Sequence, residues 1–141
     1  MAIQRKAIRL LILEDSQNEA ERIVSLFRNS GLTTRVGRAD TAETLSEALT
    51  SSWDLCIASF ECKQLPMATA LEVLQKAEHD LSFIQIIEEL SPELIVEAIQ
   101  LGAQAAIPRG EDELLMLVVR RELNSLNERR ARRSAEAALH E

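Results

Sequence analysis

The stretch Ile8-Arg9-Leu10-Leu11-Ile12-Leu13-Glu14-Asp15 is the first clear indication of the fold. Its apolar residues are nearly continuous instead of alternating, which is typical of a strand covered on both faces in a parallel sheet. Ser16 and Glu19 follow with the spacing of a helix-capping box, ahead of an apolar stripe at helical spacing. The stretch therefore predicts a buried strand followed at once by a helix.

The same alternation of strand and helix continues along the chain. Further strands are predicted at 33–38, 53–59, 82–87 and 103–108. One further helix is predicted after the second strand, with Asp40 and Glu43 as its capping residues. The others are predicted over 67–78, from Ser91-Pro92 to Gly102, and from 111 onward. Five strands that alternate with five helices predict an α/β fold, a doubly wound parallel sheet with helices on both faces.

The last helix is unusually long, because no proline or glycine occurs between 111 and 141. About 29 residues make roughly 43 Å of helix, whereas a strand of five or six residues spans only about 17–20 Å. The residues that we expect to face the sheet are Leu114, Leu117 and Val118. A second apolar stripe, expected to face a partner, consists of Leu115, Val119, Leu123 and Leu126. The chain thus divides into a domain at 1–126 and a helical extension at 127–141, leading toward further domains.

The net charge of −7 is unevenly distributed over the 141 residues. Residues 1–118 hold 10 basic and 19 acidic side chains, and residues 119–141 hold 6 and 4. An acidic body argues against a nucleic-acid partner. No apolar run suits a signal peptide or a membrane span, so we expect a cytoplasmic protein without membrane insertion. Two cysteines suit a reducing compartment; we expect Cys56 to be buried in the core and Cys62 to lie exposed in a loop.

In an open parallel sheet, ligands bind beyond the carboxyl ends of the strands. The residues that the sequence places there are Glu14, Asp15, Ser59, Ile87 and Arg109. With Trp-Asp-Leu-Cys-Ile-Ala-Ser at 53–59 and Leu-Gly-Ala-Gln-Ala-Ala-Ile-Pro-Arg-Gly at 101–110, this arrangement resembles the response-regulator receiver domains of two-component signalling. The resemblance covers residues 8 to about 126. It implies a flavodoxin- or CheY-like sheet with strand order 2-1-3-4-5.

The departures from the receiver pattern concern its chemistry. By this resemblance, Ser59 stands where the family has its phosphorylated aspartate, Ile87 at the Thr/Ser position, and Arg109 at the lysine position. Ala106 stands in place of the switch aromatic. An acyl phosphate requires a carboxylate, and a serine hydroxyl needs a neighbouring base to act as a nucleophile. We therefore expect a vestigial phosphorylation pocket with no catalytic residue, no cofactor and no metal.

Glu14 and Asp15 remain as adjacent like charges, which destabilise each other. We expect Arg109 to form an ion pair with one or both of them in place of a metal. The alternative is that all three side chains are solvated. Glu61 is either a fixed negative charge near the pocket or an ordinary exposed loop acid.

Three segments resemble a narrower group, the N-terminal receiver-like domain of the FimX-type twitching-motility regulators. They are the opening run at 8–22, Arg-Gly-Glu-Asp-Glu at 109–113 and Asn-Glu-Arg-Arg-Ala-Arg-Arg at 127–133. In those proteins a degenerate receiver precedes PAS, GGDEF and EAL domains concerned with cyclic di-GMP. The resemblance implies a bacterial signalling protein of type IV pilus-based motility.

The function expected from the sequence is that of a non-phosphorylatable pseudo-receiver, which is not an enzyme and serves dimerisation, docking or localisation. We expect a homodimer through helices four and five, with a protein partner at a cell pole or in a signalling complex. The expected dimer residues are Ile95, Ile99, Leu115, Val119, Leu123 and Leu126. Two alternatives stay open: an atypical phosphoryl-accepting receiver of a phosphorelay, and a flavodoxin-like cofactor binder, which the acidic, glycine-free first loop disfavours.

Overall fold

A computed structural model describes residues 7–78 and 80–139 of the chain. The strands are β1 (Ile8–Leu13), β2 (Thr34–Ala39), β3 (Leu55–Ala58), β4 (Ser82–Ile87) and β5 (Ala105–Pro108). The helices are α1 (Gln17–Asn29), α2 (Ala42–Ala48), α3 (Met67–Lys76), α4 (Pro92–Leu101) and α5 (Asp112–Leu139). The strands pair in parallel in the order β2-β1-β3-β4-β5. The predicted doubly wound α/β fold with strand order 2-1-3-4-5 is confirmed.

The continuous apolarity of β1 follows from its place inside the sheet. Leu10, Leu11, Ile12 and Leu13 are all 0% exposed. Successive side chains of a strand point to opposite faces, so the even-numbered pair enters the core with α1 and α5, and the odd-numbered pair enters the core with α2 and α3. Both faces of the strand are thus covered, as its sequence predicts.

Ser16, Ser91 and Gly102 cap helices as predicted, but Glu19 does not complete the predicted capping box with Ser16, and its carboxylate pairs instead with Arg22 over 2.8 Å. The main-chain N–H of Glu19 donates to Ser16 Oγ over 3.3 Å at the start of α1. At the start of α4, Ser91 caps in the same way and Pro92 occupies the first turn. Gly102 ends α4 with a φ of 116°, a left-handed conformation that glycine adopts without a Cβ clash.

The start of α2 differs from the prediction. Thr41, and not Asp40, is the capping residue, and Thr44 takes the role expected of Glu43. The main-chain N–H of Thr44 donates to Thr41 Oγ1 over 3.0 Å, and that of Thr41 donates to Thr44 Oγ1 over 2.9 Å. This reciprocal pair satisfies two helix-end donors at once, which a single aspartate would not do.

The buried face of α5 is not the predicted one. Its buried residues are Leu115, Met116, Val118, Val119, Glu122 and Leu126. Leu115, Val119 and Leu126 are 2%, 0% and 1% exposed, so the prediction that they face a partner is wrong. Leu123 is half-buried and packs against the core shared with α1.

Leu114 and Leu117 of α5 are exposed, at 42% and 62%. The prediction that they face the sheet is therefore wrong, and it is correct only for Val118. The leucines and valines of 114–126 occupy most of the helix circumference at 100° per residue, so their spacing alone did not select the buried side.

The helical extension packs on the domain for part of its length. Arg130 donates to Asp54 over 2.6 Å, and Arg129 and Arg133 lie 3.4 and 3.1 Å from the two carboxylate oxygens of Asp80. Residues 134–139 are exposed. Thus α5 runs without a break across the predicted boundary at 126/127, and the ends of the predicted ranges, 1–6 and 140–141, lie outside the described residues. Among the described residues, none of the helices has the length and apolarity that a membrane span requires.

Candidate functional site

The carboxyl ends of the strands bring the predicted pocket residues to one edge of the sheet. Glu14 follows β1, Ser59 follows β3, Ile87 ends β4 and Arg109 follows β5. The main-chain N–H of Ser59 donates to the Leu13 carbonyl over 2.9 Å, and that of Arg109 donates to the Ile87 carbonyl over 2.8 Å. These bonds extend the sheet ladder by one residue and bring the predicted positions to adjacent strand ends.

The two acids after β1 have different surroundings. Glu14 is 1% exposed, and its Oε1 accepts a hydrogen bond from the main-chain N–H of Ser16 over 3.0 Å. Asp15 is exposed, and its Oδ2 accepts from the main-chain N–H of Lys63 over 3.2 Å. The two carboxylates therefore accept from different loops: Glu14 from the loop after β1, and Asp15 from the loop after β3.

Arg109 does not pair with these acids. Its Nη1 lies 3.1 Å from Glu61 Oε1, and both side chains are more than half exposed. The expected pair with Glu14 or Asp15 is therefore absent. The physical reason is that Glu14 is enclosed and hydrogen-bonded inside its own loop, whereas Glu61 presents an accessible carboxylate on the loop opposite β5. An exposed pair of this kind is worth ~0–1 kcal/mol.

Arg38, which the sequence does not single out, contacts the loop that carries the acid pair. Its Nη1 donates to the main-chain carbonyls of Glu14 and Asp15 over 3.0 and 3.1 Å. Arg38 lies near the end of β2, opposite Ile12 of β1 in the strand register. In the sequence, Arg38 is recognisable only as a basic residue near the end of a predicted edge strand. The pairing of β2 with β1 is what brings its side chain to this loop.

The Ser59 hydroxyl is held within its own loop. Its Oγ accepts a hydrogen bond from the main-chain N–H of Glu61 over 3.1 Å. Among the described residues, no histidine or carboxylate side chain is hydrogen-bonded to this hydroxyl. A serine acts as a nucleophile when an adjacent base accepts its proton. Within residues 7–78 and 80–139 no such base is hydrogen-bonded to Ser59, and both histidines, His79 and His140, lie outside these ranges.

The neighbouring strand ends are apolar. Ile87 is 4% exposed and Ala106 is partly buried against the same core. Neither side chain carries a hydroxyl or a ring that could contact an anion at this edge. The part of the pocket formed by β4 and β5 therefore contributes packing rather than hydrogen bonds.

Cys62 lies in the loop after β3 but is buried, at 4% exposure, so the expectation of an exposed thiol is wrong. Burial raises the pKa of the Cys62 thiol to about 12, and the nearby Asp15 carboxylate adds to the effect. Cys56 is fully buried in β3 as predicted, and burial raises the pKa of its thiol as well. Both thiols are thus protonated at neutral pH and poor nucleophiles.

No family model matches the chain, and no curated protein is a significant sequence match. Solved structures do match it over most of its length. The signal receiver domain of a Vibrio parahaemolyticus protein described as a LuxO repressor superposes with a TM-score of 0.77 at 18% identity, covering 89% of this chain and 97% of that one. NtrX from Brucella abortus, crystallised with ADP, gives a TM-score of 0.78 at 20% identity and covers 96% of this chain but 30% of its own.

A third similar structure contains a metal ion. The receiver domain of the sensor histidine kinase PA1611 from Pseudomonas aeruginosa, with magnesium coordinated in its active-site cleft, gives a TM-score of 0.70 at 14% identity. It covers 84% of this chain and 99% of that domain. These similarities show that the chain has the receiver-domain fold of two-component signalling proteins.

The residues at this edge supply only part of a magnesium ligand set. Magnesium requires a near-octahedral set of oxygen ligands, and this edge offers two carboxylates, each with one oxygen bound to a main-chain N–H. Glu14 Oε2 is a buried oxygen with no partner among the described residues, but Ser59 in place of a third acid already accepts a hydrogen bond. The described residues contain no group of three His, Cys, Asp or Glu side chains placed to hold a metal.

Proposed function

We propose that this chain is a pseudo-receiver, a signalling module that does not accept a phosphoryl group and acts through contacts with other proteins. The observation that carries the proposal is the environment of Ser59, whose hydroxyl accepts from the main-chain N–H of Glu61 at 3.1 Å and, among the described residues, is hydrogen-bonded to no base. The apolar Ile87 and Ala106 beside it support the same proposal. Without a carboxylate nucleophile, the acyl-phosphate chemistry of the fold has no acceptor.

Incubation with acetyl phosphate and magnesium, followed by intact-mass measurement, tests this proposal. We expect no phosphoryl adduct on the natural chain or on a Ser59→Ala variant. A stable adduct on the natural chain that Ser59→Ala removes would establish the alternative, an atypical phosphoryl-accepting receiver. An adduct on both proteins would place the acceptor at another residue and would equally overturn the proposal.

We propose further that the protein contacts involve the edge formed by α4, β5 and α5. The strand β5 is one of the two edge strands of the described sheet, and α4 and α5 flank it in the chain. Exposed apolar side chains on these two helices include Val96, Ile99, Leu101, Leu114 and Leu117. Ile99 belongs to the expected dimer surface and Ile95 is half-buried beside it, whereas Leu114 and Leu117 replace the buried Leu115, Val119 and Leu126.

We propose that the long helix acts as a relay that carries a change of orientation away from the domain. Ion pairs from Arg129, Arg130 and Arg133 fasten the first part of the extension to the domain. A helix fastened in this way moves with the domain as one body and transmits a change of orientation to its free end. The resemblance to FimX-type regulators supports a place for this relay in cytoplasmic cyclic di-GMP and type IV pilus signalling at a cell pole, and a fluorescent fusion that stays uniformly distributed in the cell would contradict the polar assignment.

A further inference from the structure

A cavity of about 1130 Å³ lies at the amino ends of β1 and β2, at the opposite end of the strands from the candidate site. The start of β1 and the segment that leads into β2 line this amino-end cavity, and α5 closes it on one side. The α5 residues in the lining are 120, 123, 124, 126, 127 and 130, a helical spacing that makes one side of the helix a wall. The amino-end cavity is therefore distinct from the vestigial phosphorylation pocket.

The charged lining of the amino-end cavity is mostly basic. Its arginines are Arg9 of β1, Arg35 of β2, and Arg120 and Arg130 of α5, and the acid among the described lining residues is Asp54. Residues 1–118 of the chain hold 10 basic and 19 acidic side chains, so a group of arginines around one concave place differs from the average surface. A cleft lined by one sign of charge focuses its field and attracts ions of the opposite sign. The lining therefore selects for an anion.

Two of these arginines are neighbours across the sheet. Arg9 and Arg35 are partners in the parallel register of β1 and β2, so their side chains leave the sheet on the same side and their charges repel each other. Asp54 relieves part of this repulsion, because it accepts from Nε and Nη2 of Arg9 over 3.4 and 2.9 Å. Arg35 is exposed and forms no ion pair with an acid of residues 7–78 and 80–139. Arg35 is thus a positive charge that the described acids leave for a ligand.

The other arginines of the lining also keep N–H groups that a ligand can reach. The Arg9 side chain is 42% exposed, and its Nη1 has no hydrogen-bond partner among the described residues. Arg120 is exposed, and its contact within the described ranges is from Nη2 to the Ser30 carbonyl over 2.7 Å. A guanidinium carries five donors in one plane and binds phosphate or carboxylate oxygens in pairs. Both strands and α5 therefore offer accessible donors to an anion.

The uncharged part of the lining suits a flat ring. Ile8, Leu32 and Leu123 are partly buried and form an apolar surface. Asn124 and Asn127 are exposed and lie about one helical turn apart on the side of α5 that lines the cavity. An asparagine amide both donates and accepts, and so does the edge of a nucleobase. An inorganic anion would use only the arginines, whereas a ligand that carries a base uses the apolar surface and the amides as well.

We propose that the amino-end cavity binds a nucleotide. Its phosphate groups accept from Arg9, Arg35 and Arg120, its base covers the apolar surface, and the edge of the base meets the two asparagine amides. Ligand sites in proteins typically enclose roughly 300–1,000 Å³, so a cavity of about 1130 Å³ has room for a nucleotide. This inference does not depend on the proposed signalling function, because no residue of the vestigial pocket takes part.

ADP without added divalent metal is the probe, and its binding is followed by amide NMR of the natural chain. We expect saturable shifts at the residues that line the amino-end cavity, with a Kd below about 1 mM that rises with ionic strength. Pyrophosphate, which lacks the base, and adenosine, which lacks the charge, should each bind at least about fivefold more weakly. No saturable shift with ADP would overturn the proposal. Pyrophosphate or adenosine binding as tightly as ADP would also overturn it, because the site would then recognise charge alone or the base alone.

Matched variants test the arginine contact. Arg35→Gln removes an exposed charge that pairs with no described acid, so the fold should be kept and the ADP Kd should rise at least about fivefold. The control is Arg132→Gln, an exposed arginine of α5 outside the cavity lining, which should leave the ADP Kd unchanged. Equal Kd values for these two variants would reject the site.

A variant of the helix wall tests recognition of the base. Asn124→Ala removes one exposed amide and should raise the ADP Kd about threefold while leaving the pyrophosphate Kd unchanged. An unchanged ADP Kd, or an equal rise for both ligands, would show that this amide does not read the base and would overturn the assignment to a nucleotide.

Discussion

Arg130, on the extension of α5, donates from Nη1 to Oδ1 of Asp54. Asp54 lies just before β3, at the opposite end of the strands from the candidate site. The same guanidinium donates to the main-chain carbonyls of Trp53 and Asp80 over 3.2 and 2.8 Å. Asp54 also accepts from the main-chain N–H and from Nη2 of Arg9, both over 2.9 Å. One carboxylate thus joins β1, the start of β3 and the long helix.

Replacing Asp54 with asparagine should weaken this junction. We expect Asp54→Asn to lower the free energy of unfolding by about 1–3 kcal/mol, because two guanidinium groups lose a charged acceptor whose side chain is only 15% exposed. Urea unfolding measures the change. The matched control is Glu72→Gln, which breaks an exposed i,i+4 pair with Lys76 and should cost ~0.5 kcal/mol or less. Equal losses in the two variants would contradict this prediction.

Stability at acid pH should depend on the same carboxylate. Burial alone would raise the pKa of Asp54, but hydrogen bonds from Arg9 and Arg130 outweigh it and hold that pKa below its usual value. A lowered pKa in the folded state means that this stabilisation is complete above the unfolded value of about 3.9 and is lost as the pH falls through the folded one. The stability difference between the natural chain and Asp54→Asn should therefore be constant from pH 5 to 7 and shrink below about pH 4. If the stability difference between the two proteins grew as the pH fell, the prediction would be contradicted.

The two thiols should be unreactive in the folded protein. With the pKa of Cys62 raised to about 12 by burial and by Asp15, almost no thiolate is present at pH 8. We expect Ellman's reagent to modify neither cysteine of the native chain and both cysteines in urea. Asp15→Asn should lower the Cys62 pKa but leave the thiol buried and slow. Rapid modification of one thiol without denaturant would show that the loop after β3 opens readily.

Two leucines of α5 that are close in sequence should respond oppositely to substitution. Leu117 is 62% exposed, so Leu117→Lys should leave the free energy of unfolding within about 0.5 kcal/mol of the natural chain. Leu115 is 2% exposed, and Leu115→Ala should cost about 2–5 kcal/mol through the cavity it creates. If the edge formed by α4, β5 and α5 is the dimer surface, Leu117→Lys combined with Ile99→Lys should yield monomers in sedimentation. An unchanged mass would place the interface elsewhere.

Truncation separates the two parts of the helical extension. A chain that ends after Arg133 keeps the ion pairs to Asp54 and Asp80 and should unfold at the same urea concentration as the full chain. A chain that ends after Leu126 loses all of them and should be less stable by about 2 kcal/mol. Equal stability of the two truncated chains would show that these ion pairs contribute nothing measurable.

The structure brings the predicted positions to one edge of the sheet, but the contact predicted for Arg109 is wrong. The strand ends that carry Glu14, Ser59, Ile87 and Arg109 follow from hydrophobic runs in the sequence, because parallel strands end at one edge. Which acid Arg109 meets depends on how the loop after β3 folds. That loop directs Glu61 toward solvent near β5 and encloses Cys62, and neither outcome can be derived from residue spacing.

The sequence by itself determined the order of strands and helices, the doubly wound sheet and the length of α5, because these depend on local periodicity and on helix-ending residues. The tertiary structure alone decided which side of α5 is buried, since apolar residues surround most of its first turns and only contact with the sheet selects one face. It also decided the partners of Arg38, Arg109 and Arg130. Long charged side chains reach any of several carboxylates or carbonyls near them in space, and residues far apart in the chain become neighbours only when the sheet is assembled.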